Sequence, residues 1–299
     1  MENERSEARA IYVNPTNDLA FRKTFGSEEH TPILAGFIKD FFFIEPTALA
    51  VENPYSIKAY REMLKDKVAA NLRATISDVA ATMDFADYRL ELQLRKDINF
   101  NERSLYYPLN KFVNRYGVVK QEGEKSGYAR LRPIYSMSVL GYNHFNGDDD
   151  ALRIFQLYDI KRNKRFPKDI LNLGYFELLK PNVETDNQRH WQDYFLQRPL
   201  SDDAPSYIKD ALDIIKRVNM KEEELDMVIQ AEHLQSLYED TIAYAKNEGI
   251  AEGRAEGKAE IKVEIAKSML LEGYPTDAIS KLTGIGEQEI LELKGKMRL

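Results

Sequence analysis

The chain has 299 residues, 43% of them hydrophobic and 30% charged, the make-up of an ordinary globular protein large enough for one big domain or a domain with a smaller appendage. It has no cysteine, and its four histidines (His30, His144, His190 and His233) show no ligand spacing; this excludes a disulfide framework, a thiolate site and a cysteine nucleophile, and argues against zinc. Any metal here has to be a hard cation held by carboxylates, and the net charge of −7 speaks against non-specific coating of DNA while leaving room for a local basic cleft.

The N-terminal MENERSEARAIYV lacks the apolar centre of a signal peptide, and runs such as Phe41–Ile44 are far too short for a membrane span. A cytoplasmic protein with no membrane partner is expected. The first helix is predicted over LAFRKTF, preceded by the cap-type cluster Asn14-Pro15-Thr16-Asn17-Asp18 and closed by Gly26; a polar cap before and a glycine after are the usual punctuation of a helix. A second helix is predicted over Thr31–Phe42, with Ile33, Leu34, Phe37, Ile38 and Phe41 on one face. The stretch Asn53–Lys67 is mixed and carries no assignment. Two strands follow, Thr75–Met83 and Tyr88–Arg95, joined by a hairpin turn at Asp84-Phe85-Ala86-Asp87. Glu102–Tyr116 has helical spacing, with Pro108 predicting a kink or a later start. Pro133–Tyr142, Leu152–Ile160 and Gly174–Leu179 are rich in β-branched and aromatic residues and are predicted as strands. Together these elements give an α/β fold with a mixed sheet.

From Pro205 the pattern is helical, with helices predicted over Ala204–Val218 and Lys221–Asn247. In EGIAEGRAEGKAE, Gly249, Gly253 and Gly257 recur every four residues, close to one helical turn, so they form a stripe. Each glycine costs a helix about 1 kcal/mol relative to alanine. Two readings stand: a weakly helical connector, or a helix packed closely on another through its glycines. Beyond the repeat, Thr276–Leu282 and Glu287–Lys294 flank Thr283-Gly284-Ile285-Gly286 like a helix-turn-helix. The second helix, EQEILELK, carries three glutamates that phosphates would repel, so a packing or partner-binding pair is expected rather than a DNA reader.

The chemistry is concentrated between Ile76 and Asp97. Glu91, Gln93 and Arg95 alternate with Leu90, Leu92 and Leu94, and the period of two puts Glu91 and Gln93 on one strand face. A turn centred on Asp84–Phe85 places Asp78 opposite Glu91. Two carboxylates so placed repel, and a bound divalent cation turns that repulsion into coordination suited to phosphodiester hydrolysis. On spacing alone the same pattern also describes a half-exposed hairpin whose polar face meets water, and both readings stay open.

Asp78, with Glu91-Leu92-Gln93 thirteen residues on, resembles the PD-(D/E)XK nuclease signature, Gln93 standing at the usual lysine position and Ser77 where the signature has proline. The segment Asn17-Asp18-Leu19-Ala20-Phe21-Arg22-Lys23-Thr24-Phe25-Gly26 is similar to the opening motif of the recombination-promoting nuclease/transposase family within that superfamily. Arg103, Tyr106, Tyr107, the glycine repeat and the closing helical pair add to the likeness, which covers nearly the whole chain. The resemblance implies a restriction-endonuclease-like core with a C-terminal helical extension, Mg²⁺-dependent DNA cleavage and a recombination or mobile-element context. It makes Asp78 and Glu91 metal ligands, the Leu92 carbonyl a third, and Gln93 the residue that orients or polarises the attacking water. An uncharged glutamine cannot act as a general base, so the metal must supply more of the activation.

Asp18 is a further candidate beside the metal, or simply a helix-start residue. Lys23 and Arg103 are candidate phosphate contacts or solvated charges, and Tyr106–Tyr107 a core pair or a base-stacking platform. Arg189, His190 and Trp191 have nothing to anchor a role. The expected division is a nuclease-like core over 1–200, a helical extension over 201–247 and the repeat with its helical pair over 248–299. Two other functions fit the same chain: a catalytically idle DNA-binding scaffold that keeps the fold, and a homo-oligomerising module with the tail as its working part.

Overall fold

The computed structural model describes residues 11–69, 76–121 and 131–297. The N-terminal residues 1–10 and Thr75, at the start of an expected strand, lie outside the described residues. The first helix, α1, spans Asp18–Phe25 and starts where the Asn17 side chain accepts from the main-chain N–H groups of Leu19 and Ala20, satisfying donors that a helix start leaves open. Asn17 is the cap, so Asp18 is the first helical residue rather than the capping one. Helix α2 covers Thr31–Phe42 with Pro32 in its first turn. Strand β1 (Leu49–Val51) and helix α3 (Ile57–Ala69) follow; α3 fills the stretch that carried no assignment.

Strands β2 (Ile76–Met83) and β3 (Asp87–Gln93) form the expected hairpin. Helix α4 runs Phe100–Gln121 straight through Pro108, longer than expected. Then come β4 (Ile134–Leu140), β5 (Leu152–Phe155), the short pair β6 (Tyr158–Asp159) and β7 (Lys164–Arg165), and β8 (Leu171–Glu177). The main sheet has the order β1-β2-β3-β4-β8-β5. Its centre, β3-β4-β8, is parallel, while β1-β2, β2-β3 and β5-β8 are antiparallel. This is the mixed, helix-flanked sheet expected from the sequence.

The two faces of the sheet differ. Tyr88, Leu90 and Leu92 of β3, with Met137, Val139 and Phe176 of its neighbours, join Phe21, Phe25, Phe37 and Phe41 from α1 and α2 in the main core. Helices α5 (Asp186–Phe195) and α6 (Ser206–Ile214) close that core. Gly36 lets the Tyr207 ring lie directly on α2, since an added Cβ would fall 2.4 Å from the ring. Ile208, Ala211, Ile215, Met227 and Val228 belong to this same core. It therefore continues past residue 200, with α6 packing against α1 and α2. The other face of β3 is polar and meets α4.

The chain divides into two compact units between Gln235 and Ser236. Helix α7 spans Glu222–Leu271 and includes the whole glycine repeat. Among the described residues, a Cβ added at Gly249, Gly253 or Gly257 would meet nothing within 4 Å outside its own stretch of helix, so no second helix packs on the stripe. In the second unit, α8 (Thr276–Thr283) and α9 (Glu287–Met297) pack on the end of α7 through Ala266, Leu270, Ile279, Ile285 and Ile290. Among the described residues no helix is long and apolar enough to cross a membrane.

Candidate active site

The hairpin sets the site. The Met83 N–H donates to the Ala86 carbonyl at 2.7 Å, and bonded and non-bonded pairs alternate along an antiparallel ladder. Counting back, Ser77–Leu92 falls at a bonded position and Asp78–Glu91 at a non-bonded one. Non-bonded pairs are the closer kind, with Cα atoms about 4.5 Å apart. Two carboxylates thus face each other at short range. The same phase turns the Leu92 main chain towards Ser77, so its carbonyl is aimed into the ladder and is the weakest of the three candidate metal donors.

The like charges are separated by arginines. Arg22 Nε donates to Asp18 Oδ1 at 2.9 Å, and its two terminal nitrogens reach the Asp78 carbonyl (3.2 Å) and Asp78 Oδ1 (3.3 Å). That carbonyl points outward from β2 where β1 does not cover it, since β1 pairs only with Ala81–Met83. Arg89 Nη2 donates to Asp78 Oδ2 at 3.2 Å and lies 3.6 Å from Glu91 Oε2. Arg103 Nη2 donates to Glu91 Oε1 (3.1 Å) and Gln93 Oε1 (3.0 Å), and its Nη1 to Asp97 Oδ2 (2.6 Å). Acid and guanidinium alternate from Asp18 through Arg22, Asp78, Arg89, Glu91 and Arg103 to Asp97.

Helix α4 supplies the roof. Arg103, Tyr107, Lys111 and Arg115 recur every four residues and share one helix face. Arg103 covers Glu91 and Gln93, the Tyr107 ring lies 4.2 Å from the Arg89 guanidinium, and Arg115 reaches Asp87 at 2.9 Å. Beside Arg89 and Glu91, β4 presents the small buried residues Ser136 and Ser138. Glu91 is only 1% exposed, whereas the Asp78 side chain is 47% exposed. Burial pushes the Glu91 carboxyl above its ordinary range; Arg89 and Arg103 oppose this, and Asp78 adds to it. Among the described residues, the buried atoms Arg89 Nη1 and Arg103 Nε have no hydrogen-bond acceptor. A cleft of about 290 Å³, lined by Arg22, Asp78, Tyr55 and Tyr60 among others, opens onto Asp78.

The structure brings Asp78, Glu91 and Gln93 onto one sheet face, with Asp18 linked to them through Arg22. Gln93 is buried and doubly engaged: its Nε2 donates to the Arg95 carbonyl at 2.7 Å while its Oε1 accepts from Arg103. The weaker candidates part ways. Lys23 pairs with Glu224 at 2.6 Å and ties α1 to the start of α7. Tyr106 and Tyr107 are 60% and 40% exposed, which removes the core reading of that pair. His190 and Trp191 are buried, the indole donating to Asp40. Arg22 and Arg89 were not singled out from the sequence. Arg89 carried a signal, because it lies two residues before Glu91 and the period of two puts both on one face.

Two carboxylates on cross-strand neighbours, with a cationic nitrogen between them, are hard oxygen donors of the kind a divalent cation takes. Among the described residues no three Asp, Glu or His side chains gather as a metal cage. That donor set is the one Mg²⁺ uses when one or two carboxylates hold it and substrate phosphate and water complete its shell.

The chain belongs to the PD-(D/E)XK nuclease family transposases, whose family model matches residues 15–245. That span contains the sheet, the acid–arginine chain and the first part of α7. No curated protein and no solved structure shows significant similarity to the chain.

Proposed function

We propose that the protein is a metal-dependent DNA endonuclease with a recombination or mobile-element role, and that Asp78, Glu91 and Gln93 carry the reaction. The observation that supports this most is the Asp78–Glu91 opposition at a non-bonded pair, in a chain of nuclease-family membership. Asp78 and Glu91 would hold the divalent cation, Mg²⁺ being the natural choice. When bound, such a cation lowers the pKa of its water and stabilises charge on the phosphoryl and leaving oxygens.

The chain's own groups do the rest. Asp78, the exposed member of the pair, faces the cleft through which a phosphodiester would enter. Arg22, at the rim of that cleft, would offer its positive charge to the non-bridging phosphate oxygens. Glu91, buried among arginines, has to be ionised to serve, and Arg89 and Arg103 favour that form. Gln93 would orient the attacking water through its amide, an uncharged dipole in place of a lysine.

The purified full-length protein should nick or linearise plasmid DNA with Mg²⁺ and lose the activity on chelation. Failure to cleave with any of Mg²⁺, Mn²⁺ or Co²⁺ would refute the reading. A second reading, an idle DNA-binding scaffold, draws support from the engagement of Gln93 with Arg95 and Arg103. It expects DNA binding without cleavage.

A further inference from the structure

Arg89 lies where a metal would. Its Nη2 is 3.2 Å from Asp78 Oδ2 and 3.6 Å from Glu91 Oε2, so one nitrogen spans the two carboxylates proposed above as ligands. Its side chain is 9% exposed, its flat guanidinium rests 4.2 Å from the Tyr107 ring centre, and its other terminal nitrogen, Nη1, has no acceptor among the described residues. A residue whose only task was to neutralise acids in a fold would be expected to use both ends of its fork on carboxylates. Arg89 uses one end, shared between the two acids that a cation would also need.

We infer that Arg89 is a built-in competitor for the divalent cation: it holds Asp78 and Glu91 together in the metal-free protein and must give way when the metal binds. The inference rests on the metal-ligand assignment of Asp78 and Glu91 and concerns binding rather than cleavage. Without a cation between them, opposed carboxylates destabilise a hairpin, and Arg89 removes that penalty. The metal-free fold therefore gains from Arg89 while the affinity for metal falls, since the entering ion has to break the Arg89–Asp78 and Arg89–Glu91 pairings. Arg22 and Arg103 flank the pair from outside and do not bridge it, which separates their role from that of Arg89.

The test is Mn²⁺ binding to the full-length protein in the absence of DNA, followed by calorimetry or electron paramagnetic resonance. Arg89→Gln should bind Mn²⁺ roughly tenfold tighter than the parent, within the range usual for coupled binding events, while melting at a lower temperature when metal-free. Adding Asp78→Asn to Arg89→Gln should abolish the gain, which places it at this pair. Arg115→Gln, which breaks the Arg115–Asp87 pair on the same sheet face, should bind Mn²⁺ like the parent. Should Arg89→Gln fail to fold, Tyr107→Ala serves instead: it loosens the guanidinium without removing its charge and should tighten Mn²⁺ binding about two- to threefold. Unchanged or weaker Mn²⁺ binding in the folded variant overturns the inference. Tighter Mn²⁺ binding in a protein that cuts no DNA would uphold it and refute the nuclease reading. Cleavage by the parent with unaltered Mn²⁺ binding in the variants would do the reverse.

Discussion

The two ends of β3 carry the same kind of residue in nearly the same setting. Glu91 and Asp87 are both buried acids on the face beneath α4, and each is met by an arginine of that helix, Arg103 and Arg115 respectively. Burial raises the pKa of both. What differs is the residue across the hairpin. Opposite Asp87 stands Thr82, whose hydroxyl donates to Glu52 at 2.9 Å and lies 3.4 Å from Asp87; opposite Glu91 stands Asp78. One cross-strand position therefore separates an acid faced by a hydroxyl from an acid faced by a second carboxylate, with Arg89 between the two.

The largest effect that could break this comparison concerns the arginines. Arg103→Met leaves Glu91 buried with only Arg89 nearby and removes the partner of Gln93 and Asp97. It should destabilise the metal-free protein by about 3–5 kcal/mol, the usual result of stranding a buried charge. Arg115→Met should cost less, because among the described residues Arg115 pairs with Asp87 alone, whereas Arg103 holds Glu91, Gln93 and Asp97. Added Mg²⁺ should restore part of the loss in Arg103→Met and none in Arg115→Met, read as melting temperature with and without metal. Equal costs and no metal rescue would erase the distinction between the two ends.

Gln93→Leu comes next. It removes the amide while keeping the volume, and should lower single-turnover cleavage about 10²-fold, as loss of one well-placed polar group does. Mn²⁺ affinity should stay close to that of the parent. Parent-like cleavage would take Gln93 out of the site.

A finer effect appears on titration. Because the folded protein holds the Glu91 proton more tightly than the unfolded chain, Glu91 contributes most stability below its ordinary pKa. That contribution falls as the pH rises from the ordinary value through the raised one. Glu91→Gln cannot ionise, so it should gain on the metal-free parent across that window, and Asp87→Asn should shift in the same direction. A difference that stays flat with pH would contradict the burial of Glu91.

The smallest effect expected is from truncation. Each unit has its own apolar core, so a protein ending at Gln235 should keep its melting temperature to within about 4 °C, the shift of roughly 1 kcal/mol in a chain of this size. Loss of a cooperative transition would mean the first unit does not fold alone.

Much of the site was legible because a strand has a period of two and a two-residue turn fixes register. Those facts alone set Asp78 opposite Glu91 and put Gln93 on the same face. Arg22 was not legible, since it approaches from 56 residues away by packing that no local pattern encodes. The spacing of Arg103, Tyr107, Lys111 and Arg115 shows a helix face, but not which sheet face it covers. Helix α3 was missed because its apolar residues are diluted by charge. The glycine repeat argued for a marginal helix on propensity, yet α7 runs through it unbroken, flanked on both sides by stronger helix formers. The packing of Ile208 and Ala211 into the core was not legible, because the helices that α6 packs against, α1 and α2, lie far back in the sequence.

The central claim is that the opposed acids, and not their look-alike at the other end of β3, cut DNA. Single-turnover cleavage of plasmid by Asp78→Asn and Asp87→Asn, both at saturating Mg²⁺ and below their melting temperatures, tests it most directly. Asp78→Asn should fall at least about 10³-fold, because metal charge stabilisation is worth several kcal/mol in the transition state, while Asp87→Asn should cleave like the parent. Parent-like cleavage by Asp78→Asn, or an equal fall in both, would contradict the account.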